Sequence, residues 1–387
     1  MTTRKDRRPG FTLVEILVVL AIIGILTAIA VPAVFKIIGI QQRSNTQLTV
    51  KTLSSLLDRQ WGAVIAQAKT EQPPQSVLTM AGNNPQRAQL IWIKLRLRQE
   101  FPQNLAEAAF PWQLFGVTGT LSSTDLPAKP AYLNAIMQAL QINSNLVNTS
   151  PTSTGNTGTS ISYIAGNLQL NPYANASVWP LESAFTLLMA LKQNRNGIVF
   201  NDENFPPAGL ATEIYTYTSP SSPPLVQTLA FQGPKMLVDA WGGPIFFYRW
   251  PTGNPDFGHV NYGTSAGAGM TPNSPVSSSL RNPTLADPLD PTGLLLDATW
   301  NFSGSSNAAM FEQYCHPIHG TVKNTYIQAA WYTVPVVMSA GPDHGIGFAP
   351  ATSSTSPPDV MAPSGTPADA NDNIMSYKLA EGGTGDK

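Results

Sequence analysis

The sequence predicts an α+β protein: a long N-terminal transmembrane α-helix packed on a small antiparallel β-sheet head, with extra helices and long loops. Three observations carry this. Residues 16–35 hold no charged side chain, and at ~1.5 Å of rise per residue they span roughly 30 Å, the thickness of a bilayer hydrocarbon core. Downstream, apolar residues recur at mixed three- and four-residue spacings with polar residues between, as on an amphipathic helix. From residue 226 on, short turn-bounded apolar runs suit strands of a small antiparallel sheet.

Upstream of the apolar stretch, Arg4, Lys5, Arg7 and Arg8 outweigh Asp6, so the leader is expected to stay cytoplasmic while the remainder crosses. A secretory signal peptide has a shorter apolar region and then a small-residue cleavage site. Here the stretch runs on through Val31-Pro32-Ala33 into Lys36, and the segment is expected to be retained. Glu15 stands at its start. An intramembrane carboxylate costs roughly 2.5–3.5 kcal/mol at the bilayer centre, so its default reading is functional, with a partner to be named.

One helix is expected from about Phe11 to Lys69, with residues 11–35 in lipid and residues 36–70 amphipathic. Ile37, Ile40, Leu48, Leu53, Leu56, Leu57, Trp61 and Ile65 mark its apolar positions, and Pro73-Pro74 ends it. Asn84-Pro85 reads as a cap and first-turn proline. Leu90, Ile93, Leu97 and Phe101 then follow helical spacing, although residues 93–98 also alternate as a strand would; helix is favoured. Lys94, Arg96 and Arg98 read as solvated surface, with a docking face as the alternative. Further helices are expected around Tyr132, Ile136 and Leu140 and over residues 181–193. Residues 148–160, 219–224, 263–279 and 351–367 are rich in Ser, Thr, Gly and Pro and read as linkers. Strands are expected over 226–231, 235–238, 244–250 and 330–338. The regions are thus a leader (1–10), the two halves of the helix, an inserted helical and loop region (71–224), and the sheet head with its C-terminal loop (225–387).

Charged residues are 12% of the chain, about half the usual ~25%, and the net charge of −1 offers no nucleic-acid footprint. The 34 prolines point to irregular loops. The single cysteine, Cys315, cannot form an intrachain disulfide. Cys315-His316-Pro317-Ile318-His319 reads as a turn rather than zinc ligands, since Pro317 disrupts any helical face and only His259 and His344 could add imidazoles. Trp241, Trp250, Trp300 and Trp331 read as core. There is no P-loop, dinucleotide fingerprint, Gly-x-Ser-x-Gly elbow or HExxH. No enzyme is expected.

The run Gly10-Phe11-Thr12-Leu13-Val14-Glu15-Ile16-Leu17-Val18-Val19-Leu20 closely resembles the class III signal of type IV pilins and type II secretion pseudopilins. The resemblance implies that a prepilin peptidase cuts between Gly10 and Phe11 and methylates the new amine. Glu15 then matches the acidic fifth mature residue and Pro32 the helix-kinking proline. The implied partner of Glu15 is the amino terminus of a neighbouring copy, since a buried carboxylate needs a cation. Further implied partners are other pseudopilins, the membrane and an inner-membrane assembly platform. The implied place is the inner membrane, single-pass, head periplasmic, with later extraction into a filament.

Three later segments are similar to the major pseudopilin. They are Asp239-Ala240-Trp241-Gly242-Gly243-Pro244, then Ser339-Ala340-Gly341-Pro342-Asp343-His344-Gly345, and Asp369-Ala370-Asn371-Asp372-Asn373-Ile374. They resemble the family's Asp-x-Trp-Gly-x-Pro turn, its Ser-x-Gly-x-Asp-Gly loop (with His344 inserted) and its Asp-Asp-Ile close. That loop binds calcium in the family. Asp343, Asp369 and Asp372 are therefore the candidate ligands, with backbone oxygens near Ser339, although a long insertion separates Asp343 from Asp369. Lack of a disulfide leans toward the pseudopilin branch. The head is large for it, and the alternative is a type IV minor pilin or tip adhesin.

Overall fold

A computed structural model of the chain describes residues 12–112, 121–139, 147–152, 161–164, 168–170, 179–200, 210–211, 214–218, 226–230, 236–250, 287–292, 294–296, 300, 311, 334–346 and 372–380. The chain divides into two compact units between Asn45 and Thr46. The first helix, α1 (Leu13–Ala68), is 56 residues long and contains Pro32, past which it runs on unbroken. One 18-residue window of it is long and apolar enough to cross a membrane, and none of that window is buried. A backbone that crosses lipid must satisfy its own N–H and C=O groups, and a continuous helix does so.

From Thr46 the same helix changes character. Thr46, Val50, Leu53, Leu57, Gln60, Trp61, Val64 and Ala68 are buried, a three- and four-residue stripe that lays one face on a core. Leu48 is not on that stripe but 67% exposed, and Ile37 and Ile40 in the first unit are exposed at 63% and 61%, so the expected apolar face is shifted.

After Pro73-Pro74 come α2 (Gln75–Met80) and α3 (Pro85–Glu100). Between them Gly82 (φ +66°) and Asn83 (φ +59°) turn through the left-handed region, which Gly and Asn tolerate best. Asn84 caps α3 by accepting the Arg87 N–H at 3.0 Å, with Pro85 in the first turn. Next are α4 (Leu105–Ala109), α5 (Pro130–Ala139) and α6 (Trp179–Leu191). At the end of α6, Arg195 and Ile198 bridge across Asn196-Gly197, both with positive φ. That is the Asn-Gly signature of a tight primed turn.

Strands β1 (Val147–Thr152), β2 (Ile161–Ile164) and β3 (Leu168–Leu170) form one antiparallel sheet, so part of the segment expected as a linker is strand. β4 (Leu210–Ala211) pairs with β7 (Met236–Leu237), and β5 (Ile214–Thr218) with β6 (Val226–Ala230). The sheet that matters most has the order β10-β9-β8, all antiparallel: β8 is Ile245–Tyr248, β9 Val336–Ser339 and β10 Ile374–Met375. β8 and β9 are neighbours although residues 249–335 intervene. A short helix, α7 (Ser376–Ala380), follows β10. The outer edge of β8 is closed by α6 and its neighbour: Ser183 Oγ both donates to the Phe247 carbonyl and accepts its N–H, and Gln103 Nε2 donates to the same carbonyl. A covered edge cannot recruit another strand.

Two cores result. The larger joins the buried stripe of α1 to α3, α4, α5, α6 and strands β7 to β10, so residues from 71–224 and from 225–387 share one interior. The smaller packs Val77, Met80, Ile91, Trp92 and Leu95 of α2 and α3 against Leu295, Trp300 and Phe311. Trp250 is fully buried and Trp300 5% exposed, while Trp241 is partly buried against the larger core; Trp331 lies outside the described residues.

Helix α3 lies in both cores, and this overturns the surface reading of its basic residues. Lys94 and Arg98 are 1% and 3% exposed. Lys94 pairs with Asp287 at 2.6 Å and sits 5.1 Å from the Trp250 ring. Arg98 and Arg249 both pair with Glu107, at 3.3 and 2.7 Å. Arg96 pairs with Glu71 and Glu100. Arg195 holds Glu100, the Glu100 carbonyl, Gln60 Oε1, the Ala190 carbonyl and the Tyr132 hydroxyl, and Lys129 also meets Glu100. Burial alone would raise the Glu107 carboxyl, but the Arg249 and Arg98 guanidiniums and hydrogen bonds from Arg249 and the Gln103 amide outweigh it, holding it at about 2. Buried acids and bases at helical spacing look like a solvated face until their partners, far off in sequence, are known.

Candidate functional site

The two candidate regions are the start of α1 and the loop around β9 and β10. At the start of α1, Thr12 stands just before the first helical residue and Glu15 is the third. Thr12 donates its N–H (2.7 Å) and its hydroxyl (2.9 Å) to Glu15 Oε2, and Glu15 N–H returns to Thr12 Oγ1 at 3.3 Å. This is a capping box, two otherwise orphaned helix-end donors satisfied reciprocally. It also sets the carboxylate at the positive end of the helix dipole. Glu15 therefore has a partner inside its own chain, one that sequence reasoning missed although the Thr-x-x-Glu spacing signals it. Gly10 and Phe11 lie outside the described residues. Pro32 lies within α1.

The second region is built on Asp239, which sequence reasoning placed in a turn without a role. Asp239 N–H donates to the Gly243 carbonyl (2.8 Å), and Gly242 turns with φ +87°. Asp239 Oδ1 accepts the N–H groups of Trp241 (2.9 Å) and Gly243 (2.8 Å), while Oδ2 accepts Ser339 Oγ at 2.6 Å. Burial pushes its carboxyl up, against the lowering effect of these bonds and of nearby His344. The Ala240 N–H donates to Thr46 Oγ1 of α1 (3.1 Å), which ties the turn to the helix. Gly243 has no room for a side chain: a Cβ would stand 2.9 Å from His344 Nδ1 and 3.0 Å from Asp239 Oδ2.

Ser339 ends β9, opposite Ile245 on one side and Ile374 on the other. Its hydroxyl also accepts the Gly341 N–H at 3.1 Å. Gly341 (φ +77°) bends the chain so closely over Asp372 that a Cβ would lie 2.7 Å from the Asp372 carbonyl oxygen. Asp343 Oδ1 accepts the Gly345 N–H at 2.7 Å, and the inserted His344 takes φ +59°. Asn373, fully buried, donates from Nδ2 to the Ile346 carbonyl at 2.6 Å. Its Oδ1 is buried without a hydrogen-bond donor.

The described residues of the three segments singled out in the sequence, with Asp372 to Ile374 of the third, thus meet in one place. Of the predicted calcium ligands, Asp343 and Asp372 belong to this loop and Asp369 lies outside the described residues. Among the described residues no three His, Cys, Asp or Glu side chains group to hold a metal ion. The donor set is nonetheless all oxygen, and the bare Asn373 amide oxygen adds to it; Ca²⁺ takes six to eight such ligands, amide and carbonyl oxygens included. In chemical type, carboxylate and amide oxygens such as these suit a hard cation. The Cys315 and His316 segment and His259 lie outside the described residues. Ser339 is fully buried, which keeps its hydroxyl from any substrate.

No curated protein and no solved structure matches the chain. The family described as the prokaryotic N-terminal methylation motif matches residues 5–31, which contain the capping box and the start of the apolar stretch. A motif of this description is typical of the N-terminus of type IV pilins and pseudopilins, and over residues 5–31 the chain is similar to proteins of that kind.

Proposed function

We propose that this protein is a structural subunit of a type II secretion pseudopilus, involved in protein export, with no catalytic role. One observation carries the reading: Leu13, Ile16, Leu20, Ile25, Ile29 and Ile40 are each more than half exposed on a helix that opens with a processing motif. Burying such a side chain is worth roughly 1.5–3 kcal/mol, so the helix needs lipid or other helices around it. Cleavage between Gly10 and Phe11 would free an amine one residue before the capping box. Glu15 Oε2 is held by Thr12, which orients the carboxylate toward that end of the helix. An incoming copy's amine then sets register between subunits, and the assembly platform moves the helix from lipid to fibre. Other pseudopilins are the partners along the fibre. Calcium at the C-terminal loop, held by Asp343, Asp372 and Asp369, would clamp a head that lacks a disulfide.

A second reading, a minor pilin or tip adhesin, is favoured by the smaller core around Trp300 and Phe311, which gives the head a bulk that hinders close packing of identical subunits. The test is Glu15→Ala in cells with the native secretion genes. Membrane insertion should persist, with the mature N-terminus at Phe11 carrying one extra methyl group by mass spectrometry, while incorporation into fibres is lost. Normal fibres from Glu15→Ala would sink the register argument. Fibres that form without the protein, and fail only to bind a surface, would favour the adhesin.

A further inference from the structure

The Asp239 carboxylate is 3% exposed and lies beneath the C-terminal loop rather than on it. Its Oδ1 shapes the turn before β8 through Trp241 and Gly243, and its Oδ2 reaches across 100 residues of sequence to Ser339. Ser339 then hands the constraint on. With its proton committed to Asp239, the hydroxyl turns its lone pairs to the Gly341 N–H. Gly341 is where the loop bends, so close to Asp372 that a Cβ there would meet its carbonyl oxygen at 2.7 Å and its carboxylate at 3.0 Å. At the far end of the loop Asn373 pins Ile346 through Nδ2, which leaves its buried Oδ1 without a donor. A buried amide oxygen with no hydrogen bond is costly, and a cation would satisfy it.

We propose that Asp239 and Ser339 are positioning residues for a divalent cation at this loop, holding the Gly341 bend so that Asp343, Asp372 and Asn373 present their oxygens together. The proposal rests on the calcium reading above and adds two residues that would touch no metal. Outer-shell partners of metal ligands commonly change affinity by ~10- to 100-fold when removed, which is the size of effect expected.

The experiment is calorimetric titration of the full chain in detergent micelles with CaCl₂, with melting recorded in chelator. Ser339→Ala removes both the donor to Asp239 and the acceptor for Gly341. Asp239→Asn keeps an oxygen for the Trp241 and Gly243 amides while it weakens the contact to Ser339 and removes the charge beside His344, so it serves if Ser339→Ala fails to fold. The titrations are run below every melting midpoint, where a merely structural loss leaves the affinity alone. The expected result is a calcium Kd raised about tenfold in each variant, in line with outer-shell precedent. Wild-type binding with an unchanged Kd in the variants overturns the positioning role alone. A wild-type chain that gives neither heat nor a melting shift removes the calcium reading and this proposal with it.

Discussion

Helices α1 and α3 invert each other's chemistry. In its first unit α1 leaves Ile, Leu, Val and Phe side chains exposed, whereas α3 turns Lys94 and Arg98 inward at 1% and 3% exposure. The difference is in partners. The apolar residues of the first unit are exposed among the described residues, and the proposed function puts lipid or other helices over them. The cations of α3 are met by Asp287, Glu107, Glu71 and Glu100 and by the Trp250 ring, which makes burial tolerable where an isolated charge would be expelled. Residue type alone does not decide what is inside; the availability of a matching neighbour does.

Three predictions bear on that contrast, the largest first. Arg195→Ala leaves Glu100 short of its main partner and removes four further acceptor contacts. Breaking a buried pair from one side costs ~3–5 kcal/mol, so the melting midpoint of the head should fall by many degrees. A change of a degree or less would mean the pairs do not hold α3 inside. The second is acid lability. Glu107 is held at about 2 against an ordinary 4.5, so its folded pKa lies below its unfolded one. The stability it contributes is complete above pH ~4.5 and is lost as pH falls toward 2, up to about 3 kcal/mol. Melting followed from pH 6 to pH 2.5 should show that decline, and Glu107→Gln should flatten it at a lower starting stability. The smallest effect is at Ile25, which is 63% exposed. Ile25→Ala should shift head melting by no more than surface changes do, within ~0.5 kcal/mol, while weakening extraction-resistant membrane association. A drop of several kcal/mol there would mean that the first unit is covered by its own chain.

Much of the local architecture was legible. The limits of α1, the Asn84-Pro85 start of α3, and the strands at 226–230 and 245–248 follow from periodicity, caps and turn residues that act within a few positions. The Thr12 cap of Glu15 was equally local and was overlooked, because the acid was read only for its cost in lipid. Other features were hidden for a physical reason. β1 lies in a Ser/Thr-rich stretch whose composition signals a loop, and only pairing with β2 makes it a strand. The basic residues of α3 have partners as far as 193 positions away, as Lys94 does in Asp287.

The sequence by itself determined a membrane-length helix, an N-terminal methylation motif that overlaps its start and an α+β head, because each is written in contiguous residues. The order of the three C-terminal segments was also visible there. Tertiary structure alone decided that Asp239, Ser339, Gly341 and Asp372 come together, and that residues inserted between β8 and β9 return to bury Trp300 and Phe311 against α2 and α3. Contacts of that kind depend on closing loops of a hundred residues, and no local pattern records which distant partner a buried charge or glycine will meet.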